Sequence, residues 1–211
     1  MLSLFDFIAS HRIFISRIFA IGFFLLLLIT ASATEGGMVS TLLFMVGLVL
    51  VGIATVGRLW CSVYISGYKS AELITVGPYS VSRNPLYFFS FLGFAGIGFS
   101  TETFTFALAL IAVFSVVYPL IIKREEEFLR AKFGDAFTAY TARTPRFFPK
   151  LKALREPETW TVNPRLFRRT MGDVLWFVWL VGATIVLLVI GSAVAAYFVA
   201  AWLFSLISRA F

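Results

Sequence analysis

Between Met38 and Val56 there is no charged residue, and the same holds for Phe104 to Ile122 and for Val174 to Ile207. At 1.5 Å per residue, nineteen helical residues cover about 28 Å, close to the ~30 Å hydrocarbon core of a bilayer. In that medium every backbone N–H and C=O needs a partner within its own segment, so such runs fold as helices or closed barrels. Their length and the absence of strict alternation select helices. Ile13 to Ala33 is a further apolar run of this kind, with Arg12 and Arg17 near its start. The A-S-A at 31–33 resembles a signal-peptide cleavage site. The run is longer than a usual signal core and a second span follows at once, so an uncleaved helix is the expectation.

Composition agrees. Of the 211 residues 60% are hydrophobic, 25 are Phe and only 14% are charged, against about a quarter charged in soluble domains. The expected fold class is all-α: a polytopic integral-membrane helical bundle of five to six transmembrane helices. The 34 residues from Val174 to Ile207 would make a straight helix of about 51 Å, too long for the core. Gly191-Ser192 is the natural bend, giving a terminal hairpin, with one long tilted helix as the alternative. Phe88 to Ser100 is short for a crossing, and Gly93, Gly96 and Gly98 leave it thin enough for a ligand or another backbone to approach. Gly47, Gly52 and Gly57 loosely share one face of the second span and suit helix packing.

Charge gives an orientation. Twelve of the 18 Lys and Arg lie between Lys123 and Arg169, Arg58, Lys69 and Arg83 flank the other expected inner ends, and the turns near Glu35 and Glu102 have none. By the positive-inside rule the basic segments are cytoplasmic, and the net charge of +7 records topology, with no nucleic-acid partner implied. Arg58 to Ala71 reads as an interfacial segment whose Trp60, Tyr64 and Tyr68 recur every fourth residue. Such rings anchor a chain at the headgroups or form a lip for a lipidic substrate. A lone Cys61 excludes an intramolecular disulfide, and a lone His11 excludes a His-based metal site or a Ser-His-Asp triad; no metal site is expected.

Two polar stretches interrupt the apolar pattern. The first is Gly77 to Tyr87, G-P-Y-S-V-S-R-N-P-L-Y. Pro85 suits the first position of a helix and pushes Asn84 into an extended cap conformation, its side chain free to bond the helix start or a ligand. Arg83 can hold a carboxylate with two hydrogen bonds. The second is Lys123 to Pro149, which opens K-R-E-E-E-F-L-R. Glu125, Glu126 and Glu127 are either solvated beside Lys123, Arg124 and Arg130, or turned back to bind a cation or hydroxyls. Pro119 is the expected kink that would redirect this helix.

Together these stretches resemble the isoprenylcysteine carboxyl methyltransferase and phospholipid methyltransferase superfamily. Its members carry Arg-His-Pro-x-Tyr or Arg-Asn-Pro-x-Tyr, then Glu-Glu-x-x-Leu before Phe-Gly-x-x-Tyr-x-x-Tyr. Arg83, Asn84, Pro85 and Tyr87 match the first element, and Glu125, Glu126 and Leu129 the second. Asn84 stands for the commoner His and Phe137 for a Tyr. The resemblance covers about a third of the chain and implies an integral-membrane enzyme using S-adenosylmethionine, bound in a cofactor pocket on the cytosolic side by Arg83, Asn84, Pro85, Tyr87, Glu125 and Glu126. It implies a domain plan of an N-terminal hairpin and interfacial segment over 1–76, a methyltransferase core over 77–149 and a basic loop with terminal hairpin over 150–211. The implied partners are the bilayer and an amphiphilic, lipid or lipidated acceptor. Carboxyl O-methylation of an isoprenylcysteine-like substrate and N-methylation of phosphatidylethanolamine are both open, as is a non-catalytic lipid-binding protein of the same fold. A transporter is disfavoured, since no span carries an ionisable residue near its centre.

Overall fold

A computed structural model describes residues 37–68, 71–172, 174–175, 177–186 and 189 of the chain. The expected first span, the lead before it, and the far end of the Val174–Ile207 run with its bend at Gly191-Ser192 lie outside the described residues, as do Lys69 and Arg209. All regular structure among the described residues is helical. The helices are α1 (Met38–Ile65), α2 (Pro78–Val81), α3 (Pro85–Ser100), α4 (Phe104–Arg143) and α5 (Pro164–Val186), with a 3₁₀ turn at Leu151–Ala153. Three of them, α1, α4 and α5, are long and apolar enough to cross a membrane, whereas α3 is shorter.

Helix α1 runs nine residues beyond the charge-free stretch and takes in most of the segment expected to lie flat at the interface. The reason is local: nothing between Arg58 and Ile65 breaks a helix, and Ser62 Oγ bonds back to Arg58 O at 2.7 Å within the same ladder. The chain turns only at Ser66–Tyr68. On α1 the glycines divide. A Cβ on Gly47 would stand 2.7 Å from Gly96 O, and one on Gly57 would overlap the Phe89 ring, so both admit α3 at close range. Among the described residues nothing lies within 4 Å of where a Cβ on Gly52 would stand.

Helix α3 begins at Pro85 and is surrounded by the others. Gly98 lies against Ala107 of α4, and Gly93 against the Phe177 ring of α5. Val51, Ile97, Phe177 and Val181 form a buried cluster joining α1, α3 and α5. The thin face of α3 therefore admits other helices and aromatic side chains. Arg58 donates to Ser90 Oγ and lies 5.3 Å from the centroid of Phe177, which ties α1 to α3 and α5 within that packing.

Pro119 sits inside α4 without ending it. The break lies instead at Gly134, with φ 50° and ψ −120°, a backbone state that costs an L side chain heavily but glycine little. Helix α5 starts at Pro164, earlier than the apolar run at Val174, because Asn163 Oδ1 accepts the N–H groups of Arg165 and Leu166 (3.1 and 3.2 Å) and Pro164 supplies a first-turn residue with fixed φ.

Candidate functional site

Gly77 opens the first polar stretch with φ 58°, and a Cβ there would lie 2.3 Å from the Tyr64 ring. Only glycine lets the chain enter α2 under that ring. From here the stretch is held by the chain that follows α4. Gly77 N–H donates to Arg155 O (2.7 Å), Arg155 N–H donates to Ser80 Oγ (2.9 Å), and Lys150 N–H donates to Val81 O (2.8 Å). Ser82 Oγ donates to Phe147 O (2.9 Å) and accepts from Asn84 N–H (3.2 Å), while Arg83 N–H donates to Pro145 O (2.8 Å). Backbone groups that a short irregular segment would leave orphaned are thereby paired.

Pro85 occupies the first turn of α3 and Asn84 its cap position, as the sequence predicts. The Asn84 side chain does not cap the helix. Its Nδ2 donates to Glu126 Oε1 (3.2 Å) and to Arg146 O (2.9 Å), so the amide spans two polar stretches. Glu126 also takes Arg83 Nη1 on Oε1 (3.1 Å) and Arg146 Nε on Oε2 (3.0 Å). Three donors from two segments converge on this one carboxylate. Glu125 serves a different neighbour: Tyr87 donates its hydroxyl to Glu125 Oε2 at 2.7 Å. Glu127 is exposed, 4.0 Å from Lys123.

A cavity of about 100 Å³ opens among these residues, lined by Tyr79, Arg83, Asn84, Pro85, Tyr87, Glu125 and Tyr140, with apolar walls from Ile65, Ile74, Leu86, Phe128 and Leu129. Of the six residues carried by the resemblance, five line it, and Glu126 does not. Two buried donors at the cavity, Arg83 Nε and Tyr79 Oη, have no hydrogen-bond partner among the described residues. Burial pushes the Tyr79 hydroxyl well above its ordinary pKa, so it stays a neutral donor. Tyr140 closes the far side, its hydroxyl 2.6 Å from Tyr79 O. Tyr79, Tyr140 and Arg146 are site residues that the motif reading does not assign to the site, although Tyr140 ends the Phe-Gly-x-x-Tyr-x-x-Tyr element. Arg146 had a signal, since it stands within P-R-F-F-P at the end of the recognised stretch.

The donor set suits a zwitterionic cofactor. Glu125 offers a carboxylate to an ammonium group or a ribose diol, and Arg83 and Tyr79 offer donors to a carboxylate. No grouping of three or more His, Cys, Asp and Glu that could hold a metal occurs among the described residues.

The family model for phospholipid methyltransferases matches residues 37–136, which contain the first motif stretch and the second as far as Ala136. Among characterised relatives, the cobalt-zinc-cadmium resistance protein CzcN of Cupriavidus metallidurans is 42% identical over 172 residues, 82% of this chain and 79% of that protein. The nickel-cobalt-cadmium resistance protein NccN of Alcaligenes xylosoxydans xylosoxydans is 43% identical over 182 residues, 86% of this chain and 83% of that protein. No solved structure matches the chain significantly. Identity of this extent over this much of the chain, together with the matched core, places the protein: it belongs to the phospholipid methyltransferase family, within the superfamily that includes the isoprenylcysteine carboxyl methyltransferases.

Proposed function

We propose that the protein is an integral-membrane, S-adenosylmethionine-dependent methyltransferase acting on an amphiphilic acceptor. The observation that carries the reading is the pairing of Glu125 with two unpartnered buried donors, Arg83 Nε and Tyr79 Oη, around one cavity. Glu125, Arg83 and Tyr79 would hold the cofactor, which would supply an activated methyl group for in-line transfer to the acceptor's lone pair, with the neutral thioether as leaving group. Charge is largely cancelled in such a step, so the protein contributes alignment and exclusion of water. At about 100 Å³ the cavity is below the ~300–1,000 Å³ of typical ligand sites, so cofactor entry widens it. Glu126, already held by three donors, stands as the residue that orders Arg83 and Asn84.

For the acceptor, a carboxylate is favoured. It is nucleophilic at pH 7, whereas a lipid amine must first lose a proton. Asn84 cannot accept that proton, Glu126 is saturated with donors, and Glu125 already takes the Tyr87 hydroxyl. Phospholipid N-methylation is the second reading, and the matched family favours it. The relatives' names add a physiological setting: methyl transfer by this chain serves tolerance of divalent heavy metals. Residues 144–163 and both motif stretches are assigned to the cytoplasmic face from the placement of Lys and Arg.

The direct test is incubation of the purified protein with methyl-labelled S-adenosylmethionine and total membrane extract. Label transferred to an extractable amphiphile is expected. Cofactor binding without transfer would leave the non-catalytic lipid-binding alternative, and absence of binding would overturn the reading.

A further inference from the structure

Between α4 and α5 the chain forms a strap, 144–163, which lies outside the matched family core. From Arg143 to Arg169 eight Lys and Arg stand against two carboxylates, Glu156 and Glu158. All eight basic residues are exposed. Among the described residues no carboxylate lies within ion-pair distance of Lys150, Lys152, Arg155, Arg165, Arg168 or Arg169. Interleaved with them are large apolar side chains that face outward: Phe148 is 73% exposed and Leu151 72%, with Leu154 and Leu166 also exposed.

The strap is fixed and not a loose tail. Its backbone is bonded to Gly77, Ser80 and Val81, and Trp160 packs 5.2 Å from both Tyr64 and Tyr68 at the end of α1. Tyr68 Oη donates to Thr161 O at 3.0 Å. Its two ends also define its depth. The apolar part of α4 stops at Ile122, and the first two turns of α5 carry Arg165, Arg168 and Arg169 before the apolar residues begin. A segment joining two bilayer-crossing helices at their charged ends lies in the headgroup plane. Cationic side chains beside outward Phe and Leu are the chemistry of a surface that inserts at an anionic interface.

We infer that the strap and the first turns of α5 form a binding surface for the headgroups of anionic phospholipids. The phosphates are met by Lys150, Lys152, Arg155, Arg165, Arg168 and Arg169, and Phe148, Leu151 and Leu154 insert between the acyl chains. This surface is separate from the cavity and does not depend on the chain being a methyltransferase. Its effect is to collect anionic lipid beside the site wall formed by residues 77–83.

The test uses the full-length protein in mixed micelles, with tryptophan quenching by brominated phosphatidylglycerol compared against brominated phosphatidylcholine. Phosphatidylglycerol is expected to be preferred, by roughly five-fold for each basic residue engaged. The preference should collapse at about 0.5 M salt, where screening falls well below 10 Å. The triple variants Lys150→Gln/Lys152→Gln/Arg155→Gln and Arg165→Gln/Arg168→Gln/Arg169→Gln should each lose part of it. Equal quenching by the two lipids in the unaltered protein, or a preference indifferent to salt, overturns the inference. The salt titration decides the matter even if a triple variant does not fold. A preference that survives both triple variants would assign it to other residues and likewise overturn the assignment made here.

Discussion

Arg146 places its Nε 3.0 Å from Glu126 Oε2, while Arg83 and Asn84 share the carboxylate's other oxygen at 3.1 and 3.2 Å. One glutamate thus joins the start of α3, the outer half of α4 and the strap. The two arginines do not contribute equally. Arg83 is 16% exposed, and Arg146 is 47% exposed and correspondingly screened by water.

Glu126→Gln should therefore destabilise the unliganded protein by about 1.5–3 kcal/mol, because it strips a charged partner from a largely buried arginine. Arg146→Gln should cost less than about 1 kcal/mol. Thermal unfolding in detergent measures both. Equal losses from the two substitutions would show that Arg83 is not held in this way.

Glu125→Gln should act on ligand affinity and leave stability nearly unchanged, since Glu125 lines the cavity and has one internal donor, Tyr87. Loss of one charged hydrogen bond weakens S-adenosylmethionine binding by roughly 10- to 150-fold. Glu127→Gln is the control, its carboxylate being exposed beside Lys123. Calorimetric affinities for the Glu125 and Glu127 variants that match the unaltered protein would remove Glu125 from the site.

Tyr79→Phe should give effects of opposite sign. The hydroxyl is buried without a partner, so its removal is neutral or stabilising by up to about 1–3 kcal/mol in the unliganded protein. With cofactor the same change removes a donor and lowers affinity. The pH dependence follows from the raised pKa: the folded protein holds this proton more tightly than the unfolded chain, so stability is unaffected below the ordinary tyrosine value near 10 and falls above it as the unfolded chain ionises first. The Phe variant should lose less stability than the unaltered protein in that alkaline range. A melting profile identical in both proteins above pH 10 would contradict the assignment.

The motif stretches and the helical class were legible because each rests on local rules: a proline at the start of α3, a cap residue before it, and runs of apolar residues of bilayer length. Partner choice was not. Asn84 has a cap residue's position but spends its amide on Glu126, 42 residues away, and no local pattern specifies that. Pro119 announces a kink, yet α4 continues through it, because within a bilayer-length helix the loss of one bond is compensated locally. The break at Gly134 looked like one glycine of the F-G-D-A motif, since glycine's torsions are not written in its neighbours. The end of α1 was placed too early because aromatic residues at fourfold spacing suit a headgroup anchor and a continuing helix equally.

The acceptor chemistry is separable by product stability. A carboxyl acceptor yields a methyl ester, which mild base releases as volatile labelled methanol. Base-stable label retained on a lipid headgroup would establish N-methylation and require a base, for which Glu125 with Tyr87 is the available pair.

Sidedness can be read at the strap. In a Cys61→Ser background a cysteine at Lys150 should be shielded from an impermeant thiol reagent added to intact cells and labelled once the membrane is opened. Labelling at position 150 in intact cells would invert the orientation.

Along an unbroken α4, Glu125 and Tyr140 would stand about 22 Å apart, far more than the width of the space they jointly line. They line one cavity because the helix is broken between them at Gly134, whose torsions disfavour an L side chain although nothing among the described residues lies within 4 Å of a Cβ there. The separation of the two walls is therefore set by a single residue's φ and ψ. A side chain at Gly134 would strain that joint and shift one wall against the other, with the helical segments on either side left whole.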